Sequence, residues 1–73
     1  MRLTAEIKYI RKFSVQVRLR RIELQLTQEK LAELMDCHVN HIGRIERAQA
    51  DPSLSMIFRL AKSLKITPKD LIP

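Results

Sequence analysis

Seventy-three residues with 45% hydrophobic and 30% charged side chains make one small ordered domain with a modest core, and are too apolar for a disordered chain. No apolar run approaches the roughly 20 residues that a membrane span needs. The basic N-terminus also lacks a signal peptide's apolar stretch, so a cytoplasmic location and no membrane partner are expected. The charge of +6 lies at one end: residues 1–21 carry seven of the 14 bases against Glu6 alone, and the remaining seven bases face seven acids. Such an end suits a polyanion, nucleic acid before membrane, because no clean apolar face accompanies it.

Residues 1–12 form a basic N-terminal extension or the start of helix one. Beyond them Phe13, Val15, Val17 and Leu19, then Ile22, Leu24 and Leu26, alternate with polar residues at a strand-like period of two. A helix would place Ile10, Phe13, Val17 and Leu24 on one face and Val15, Leu19, Ile22 and Leu26 on another. The segment runs about 20 residues without a breaker, too long for a typical strand, and is read as helix. That choice leaves a second apolar stripe that a small domain does not readily bury.

Thr27 is a good N-cap for helix two, from Gln28 to about Met35, with Leu31, Ala32, Leu34 and Met35 as its apolar stripe. After Asp36 and Cys37, helix three runs from about Val39 to Glu46 or Arg47, capped modestly by His38, with Ile42 and Ile45 inward. Pro52 or Ser53 opens helix four, whose Leu54, Ile57, Phe58, Ala61 and Leu64 recur at helical spacing. Thr67-Pro68-Lys69-Asp70 opens a short helix five, with Thr67 as cap and Asp70 completing a capping box. The three prolines fall at helix boundaries in the C-terminal third, the punctuation of an all-α domain.

The densest signal is LTQEKLAELMDCHVNHIGRIERAQADPSL, residues 26–54. Two short helical patterns are parted by a few turn residues, and Ala32 is small enough for one helix to cross close to the other. This is a helix-turn-helix signature, in which the second helix is offered to the DNA major groove. The stretches LTQEKLAEL, IGRIER and DPSL resemble the Cro/repressor-type (XRE) helix-turn-helix family of bacteria and phages.

The resemblance covers roughly residues 13–72. It implies a single compact five-helix repressor-like domain, all-α, with the helix-turn-helix in helices two and three. It also implies a transcriptional regulator (a repressor, a restriction–modification controller or an antitoxin, with the role left open) that binds double-stranded DNA sequence-specifically as a homodimer, with helix three in the major groove. Family members place their first helix in the ambiguous segment. They carry glycine at three turns where this chain has Gln25, Asp36 and Ala48, positions that want positive φ. Cys37 stands where the family has a small buried aliphatic, which implies packing. A lone cysteine also excludes an intramolecular disulfide and fits a reducing compartment.

In the resembled family the first turns of helix three make most base contacts. Val39, Asn40, His41, Gly43 and Arg44 are expected on or near the face opposite Ile42 and Ile45. Arg44 can donate a bidentate pair to guanine and Asn40 can pair with adenine. Val39 can pack on a thymine methyl, and His41 can meet a base edge or a phosphate. Phosphate contacts are expected from Thr27 and Gln28 at the start of helix two, Arg47, Ser53 with Ser55, and Arg11 with Lys12 on helix one. Arg2 or Lys8 can extend that footprint. In the family the glutamine at position 28 also braces the recognition helix. Gly43, the chain's one glycine, reads either as close approach to a phosphate or as a position that tolerates small residues. The resemblance further implies an ion pair between Arg21 and Glu46. Physically, a carboxylate following Ile42 and Ile45 inward needs a partner.

Other chemistries find less. Cys37, His38 and His41 lack a fourth ligand at suitable spacing for a metal, and no cofactor or small-molecule ligand is evident. No nucleophile–base or carboxylate pair suggests an enzyme. Three aromatics, two of them wanted in the core, make no stacking platform for RNA. The alternative function is a protein-interaction or dimerisation module that keeps the fold without specific DNA binding. With nothing after helix five, a dimer is expected to close through this domain, either on helix five and its neighbours (Ile66, Leu71, Ile72) or on the spare stripe of helix one.

Overall fold

From Thr4 to Glu23 no residue interrupts a helix, and in the computed structural model, which describes residues 3–72, helix α1 runs over all 20 of them. The basic stretch is therefore the first part of α1, and Arg2 lies outside the described residues. Phe13 and Val17, one turn apart, are buried. Ser14 is buried with them, and its hydroxyl donates to the Ile10 carbonyl at 2.9 Å. The stripe of Val15, Leu19 and Ile22 stays about half exposed.

Helix α2 spans Gln28–Leu34 and α3 spans Val39–Glu46. Thr27 caps α2 by accepting the Lys30 N–H at 3.0 Å, and the His38 Nδ1 caps α3 by accepting the Asn40 N–H at 3.0 Å. Leu31, Ala32, Met35, Ile42 and Ile45 are buried between the two helices and the rest of the core, whereas Leu34, expected among them, faces solvent. Helix α4 spans Leu54–Ser63, capped by Ser53, whose Oγ accepts the Met56 N–H at 3.1 Å. Its inward stripe also differs from expectation. Leu60, Ala61 and Leu64 are buried, while Leu54 is 66% and Phe58 53% exposed. Leu60 and Phe58 lie about 200° apart around a helix, so one contact face cannot take both.

The expected fifth α-helix is a single 3-10 turn over Pro68–Asp70. The Asp70 Oδ2 accepts both the hydroxyl of Thr67, at 2.7 Å, and its backbone N–H, at 3.2 Å. These bonds hold its carboxyl below the usual range. Leu71 then turns into the core, and Pro73 disfavours a helical Ile72. Leu71 is buried and Ile66 half-buried, so among the described residues that segment offers only Ile72 of the three as an exposed apolar contact.

All four helices end alike. Gln25, Asp36, Ala48 and Lys65 take φ of 59°, 52°, 59° and 58°. The N–H of the residue after each bonds back across the last turn: Leu26 to Arg21, Cys37 to Ala32, Gln49 to Arg44 and Ile66 to Ala61, at 2.8–3.0 Å. This is the Schellman closure, normally the place of glycine, made here four times without one.

One buried network then ties α1 to the end of α3. The Arg21 Nε and Nη2 donate to the two Glu46 carboxylate oxygens at 2.6 and 3.0 Å. The Gln28 Nε2 donates to Glu46 Oε1 at 3.1 Å, and the Arg21 Nη1 donates to the Leu26 carbonyl at 2.8 Å. The Glu46 side chain is 3% exposed and that of Arg21 12%.

Two outcomes are expected. Arg21→Ala or Glu46→Ala should each cost about 3–5 kcal/mol, because the remaining charge is stranded in the interior. An apolar pair at both positions should melt well above either single variant; thermal melts of the three decide it. Gln25→Gly and Lys65→Gly should each gain about 1 kcal/mol by removing a left-handed side-chain residue. For a domain of this size that raises Tm by roughly 4–8 °C, while Gln25→Ala leaves it near wild type.

Candidate nucleic-acid interface

Helix α3 is eight residues long, and its two faces differ sharply. Ile42 and Ile45 are fully buried, and Val39 packs half-buried against the core. Opposite them Asn40, Arg44 and Arg47 are exposed at i, i+4 and i+7, one straight polar stripe along the helix. His41 is half-buried at one edge of it, and Gly43 is buried at the other. The residue types on the stripe suit base recognition: an amide that can pair with adenine, and a guanidinium that can pair with guanine. Arg44 is folded back, its Nη2 donating to the Gln49 carbonyl at 3.3 Å, which leaves its other donors for a ligand. Of the four side chains singled out for bases, Asn40 and Arg44 share the exposed stripe. His41 borders it, and Val39 serves the core.

The phosphate candidates fall in separate places. Thr27 and Ser53 cap their helices by accepting a backbone N–H at the hydroxyl oxygen, with Ser55 Oγ 3.5 Å from Ser53 Oγ. The Gln28 amide donates to Glu46, so it braces α3 from within the protein. Arg47 and Arg11 come together although they are 36 positions apart: with Ile7, Ile10 and Ala48 they line a cleft of about 160 Å³ between α1 and the end of α3. Gly43 lies under Arg47. A Cβ there would be 2.8 Å from Arg47 Nη1, so burial of the glycine comes from the arginine folded across it. Lys8 and Lys12 are also exposed on α1, beside Arg11 along a broader groove closed by Asp70 and Ile72.

Three arginines have structural tasks, two of which sequence reasoning missed. The Arg20 Nε donates to the Leu64 carbonyl at 2.9 Å and its Nη2 to that of Lys65 at 3.3 Å, closing the end of α4. Arg59 does the same for α2 through the Met35 carbonyl. Arg21 holds Glu46, and the hydrogen bond to that carboxylate raises its own pKa. A guanidinium at a helix C-terminus meets unpaired carbonyls and the negative dipole end, but its helix of origin is distant in sequence, so spacing gives no sign of it. Burial also raises the pKa of the Cys37 thiol, which packs against the core. No helix is long and apolar enough to cross a membrane, and no group of three or more potential metal ligands occurs, both among the described residues.

This arrangement has known counterparts. A helix-turn-helix family model, HTH_3, matches residues 17–71. The control protein C.BamHI of Bacillus amyloliquefaciens is 43% identical over 47 residues, which span 64% of this chain and 58% of that protein. The crystal structure of the restriction-modification controller protein C.AhdI from Aeromonas hydrophila superposes with a TM-score of 0.83 at 36% identity, covering 86% of this chain and 96% of that one. A hypothetical transcription factor, NHTF, from Neisseria shares the fold at a TM-score of 0.85 and 23% identity, covering 89% and 75%. The chain belongs to the HTH_3 family of helix-turn-helix proteins, of the Cro/repressor (XRE) type.

Proposed function

We propose that this protein is a transcriptional regulator of the controller kind that binds double-stranded DNA sequence-specifically as a homodimer, with α3 in the major groove. The observation that carries the reading is the Asn40–Arg44–Arg47 stripe, exposed on a helix whose other face is locked into the core. A reader of base edges needs that combination of free donors on a rigid support. The +6 charge supplies the sequence-independent attraction. The cytoplasm is where such a protein meets DNA, and the match to controller proteins favours this role over other family members' roles.

The dimer closes on α4. Leu54 and Phe58 are exposed one turn apart there. The apolar stripe of α1 is the poorer candidate, because Lys8, Arg11, Lys12 and Arg18 on its solvent side would repel their copies across a two-fold axis. A fold retained for protein contacts alone has the exposed Val15, Leu19 and Ile22 in its favour, but it leaves the polar stripe of α3 without a task.

Selection from a pool of random duplexes should recover for the wild type a two-fold symmetric site, with half-sites about 34 Å apart. Arg44→Ala should enrich no such site, although it still binds DNA at low salt, since base contacts carry about 1–3 kcal/mol of discrimination each. An identical motif from both proteins would refute the role of Arg44. Sedimentation at tens of micromolar should show a dimer that Phe58→Glu converts to monomer; a wild-type monomer would overturn the assembly.

A further inference from the structure

We propose that Arg11 and Arg47 clamp a single DNA backbone phosphate at the edge of the groove read by α3, and that Gly43 is the positioning residue that lets Arg47 lie there. The proposal rests on the DNA-binding reading and assigns the two arginines to one shared phosphate.

A glycine inside a helix gives up helix stability, and Gly43 has a negative φ that any residue could adopt. Its conformation therefore does not explain it, but the space above it does. Side chains on a helix lean toward its N-terminus, so Arg47 falls across the residue four before it. With a Cβ at 43 the guanidinium must shift from this position, since Nη1 would be only 2.8 Å away. The Arg47 Nε is oriented by Gln49 Oε1 at 3.2 Å, which leaves both terminal nitrogens free to bind.

In that position Arg47 shares its cleft with Arg11. No acid is among the five lining residues, and Arg11 has no hydrogen bond or ion pair among the described residues. Two guanidinium groups facing one small cleft repel each other until an anion enters, and each can offer a phosphate a pair of parallel N–H donors. The placement fits DNA. Seven residues of helix separate Asn40 from Arg47, about 10 Å, against a major groove about 12 Å wide. With Asn40 over the bases, Arg47 reaches the rim, where the backbone runs. Arg11 approaches that rim from α1, six residues before the family match begins.

The test is salt-dependent binding to a random-sequence 20-base-pair duplex, where phosphate contacts act without base contacts. Gly43→Ala, Arg11→Ala and Arg47→Ala should each weaken binding roughly five- to tenfold at 0.1 M salt and flatten the slope of log K against log salt by about one. Arg11→Ala with Arg47→Ala should also flatten it by about one, because the two share one phosphate. Gly43→Ala should add nothing in the Arg47→Ala background, yet alone should raise Tm by about 2–8 °C as helix propensity improves. Wild-type binding by Gly43→Ala, or a slope change of about two in the double arginine variant, would overturn the clamp and leave DNA binding standing. A wild type without salt-dependent binding would overturn both.

Discussion

The orientation of α3 depends on one buried carboxylate. Glu46 is the last residue of α3, at the point where the chain leaves for α4, and its side chain is almost fully enclosed. Arg21 from α1 and Gln28 from the start of α2 together give it three donors. Three helices are thus referred to one pair of oxygen atoms. A buried ion pair adds little net stability, because desolvation offsets most of the attraction. What it adds is directionality: an apolar contact in its place would let α3 slide or rotate, whereas a bidentate guanidinium–carboxylate pair fixes plane and distance. For a helix that carries Asn40, Arg44 and Arg47 on one exposed stripe, that fixes where the stripe points.

The arginines divide between those bound at the protein's own helix ends and those left exposed. Arg20 and Arg59 meet carbonyls at the ends of α4 and α2, and Arg21 meets Glu46. Lys8, Arg11, Lys12, Arg44 and Arg47 stay exposed. The basic charge of residues 1–21 is therefore only partly available to a polyanion: Arg20 and Arg21 are taken up by the fold, and Lys8, Arg11, Lys12 and Arg18 are exposed. The family match starts at residue 17, so Lys8, Arg11 and Lys12 lie ahead of it, along the first turns of α1.

Much of this was legible in the chain. The caps Thr27 and Ser53, the inward pair Ile42 and Ile45, and the burial of Leu31 and Ala32 follow from local chemistry at 3.6 spacing. Elsewhere local pattern underdetermines the structure. Phe58 and Leu60 are both apolar and both helical, and only the position of the neighbouring core decides that Leu60 turns inward. Leu71 looked like a surface contact because a helix was expected to carry it, and the 3-10 turn swings it into the core. The left-handed Lys65 gave no sign of itself, since lysine has no preference for that conformation. Long-range contacts such as Arg59 with Met35 and Arg11 beside Arg47 were beyond reach, as no periodicity links residues so far apart.

The placement of the one glycine follows the same division between fold and function. Four positions take the conformation for which glycine is suited, and all four carry side chains; the single glycine sits where its conformation is of no use. Each left-handed residue costs about 1–2 kcal/mol, in a domain whose total stability is of order 5–15 kcal/mol. The closures survive because each returns two hydrogen bonds to carbonyls that would otherwise be unpaired, and three helix ends keep a polar side chain at the bend. Stability considerations alone would move the glycine to one of those bends and put alanine at 43. The opposite arrangement gives up stability twice, and the space over Gly43 that admits the Arg47 guanidinium is the one structural gain it yields.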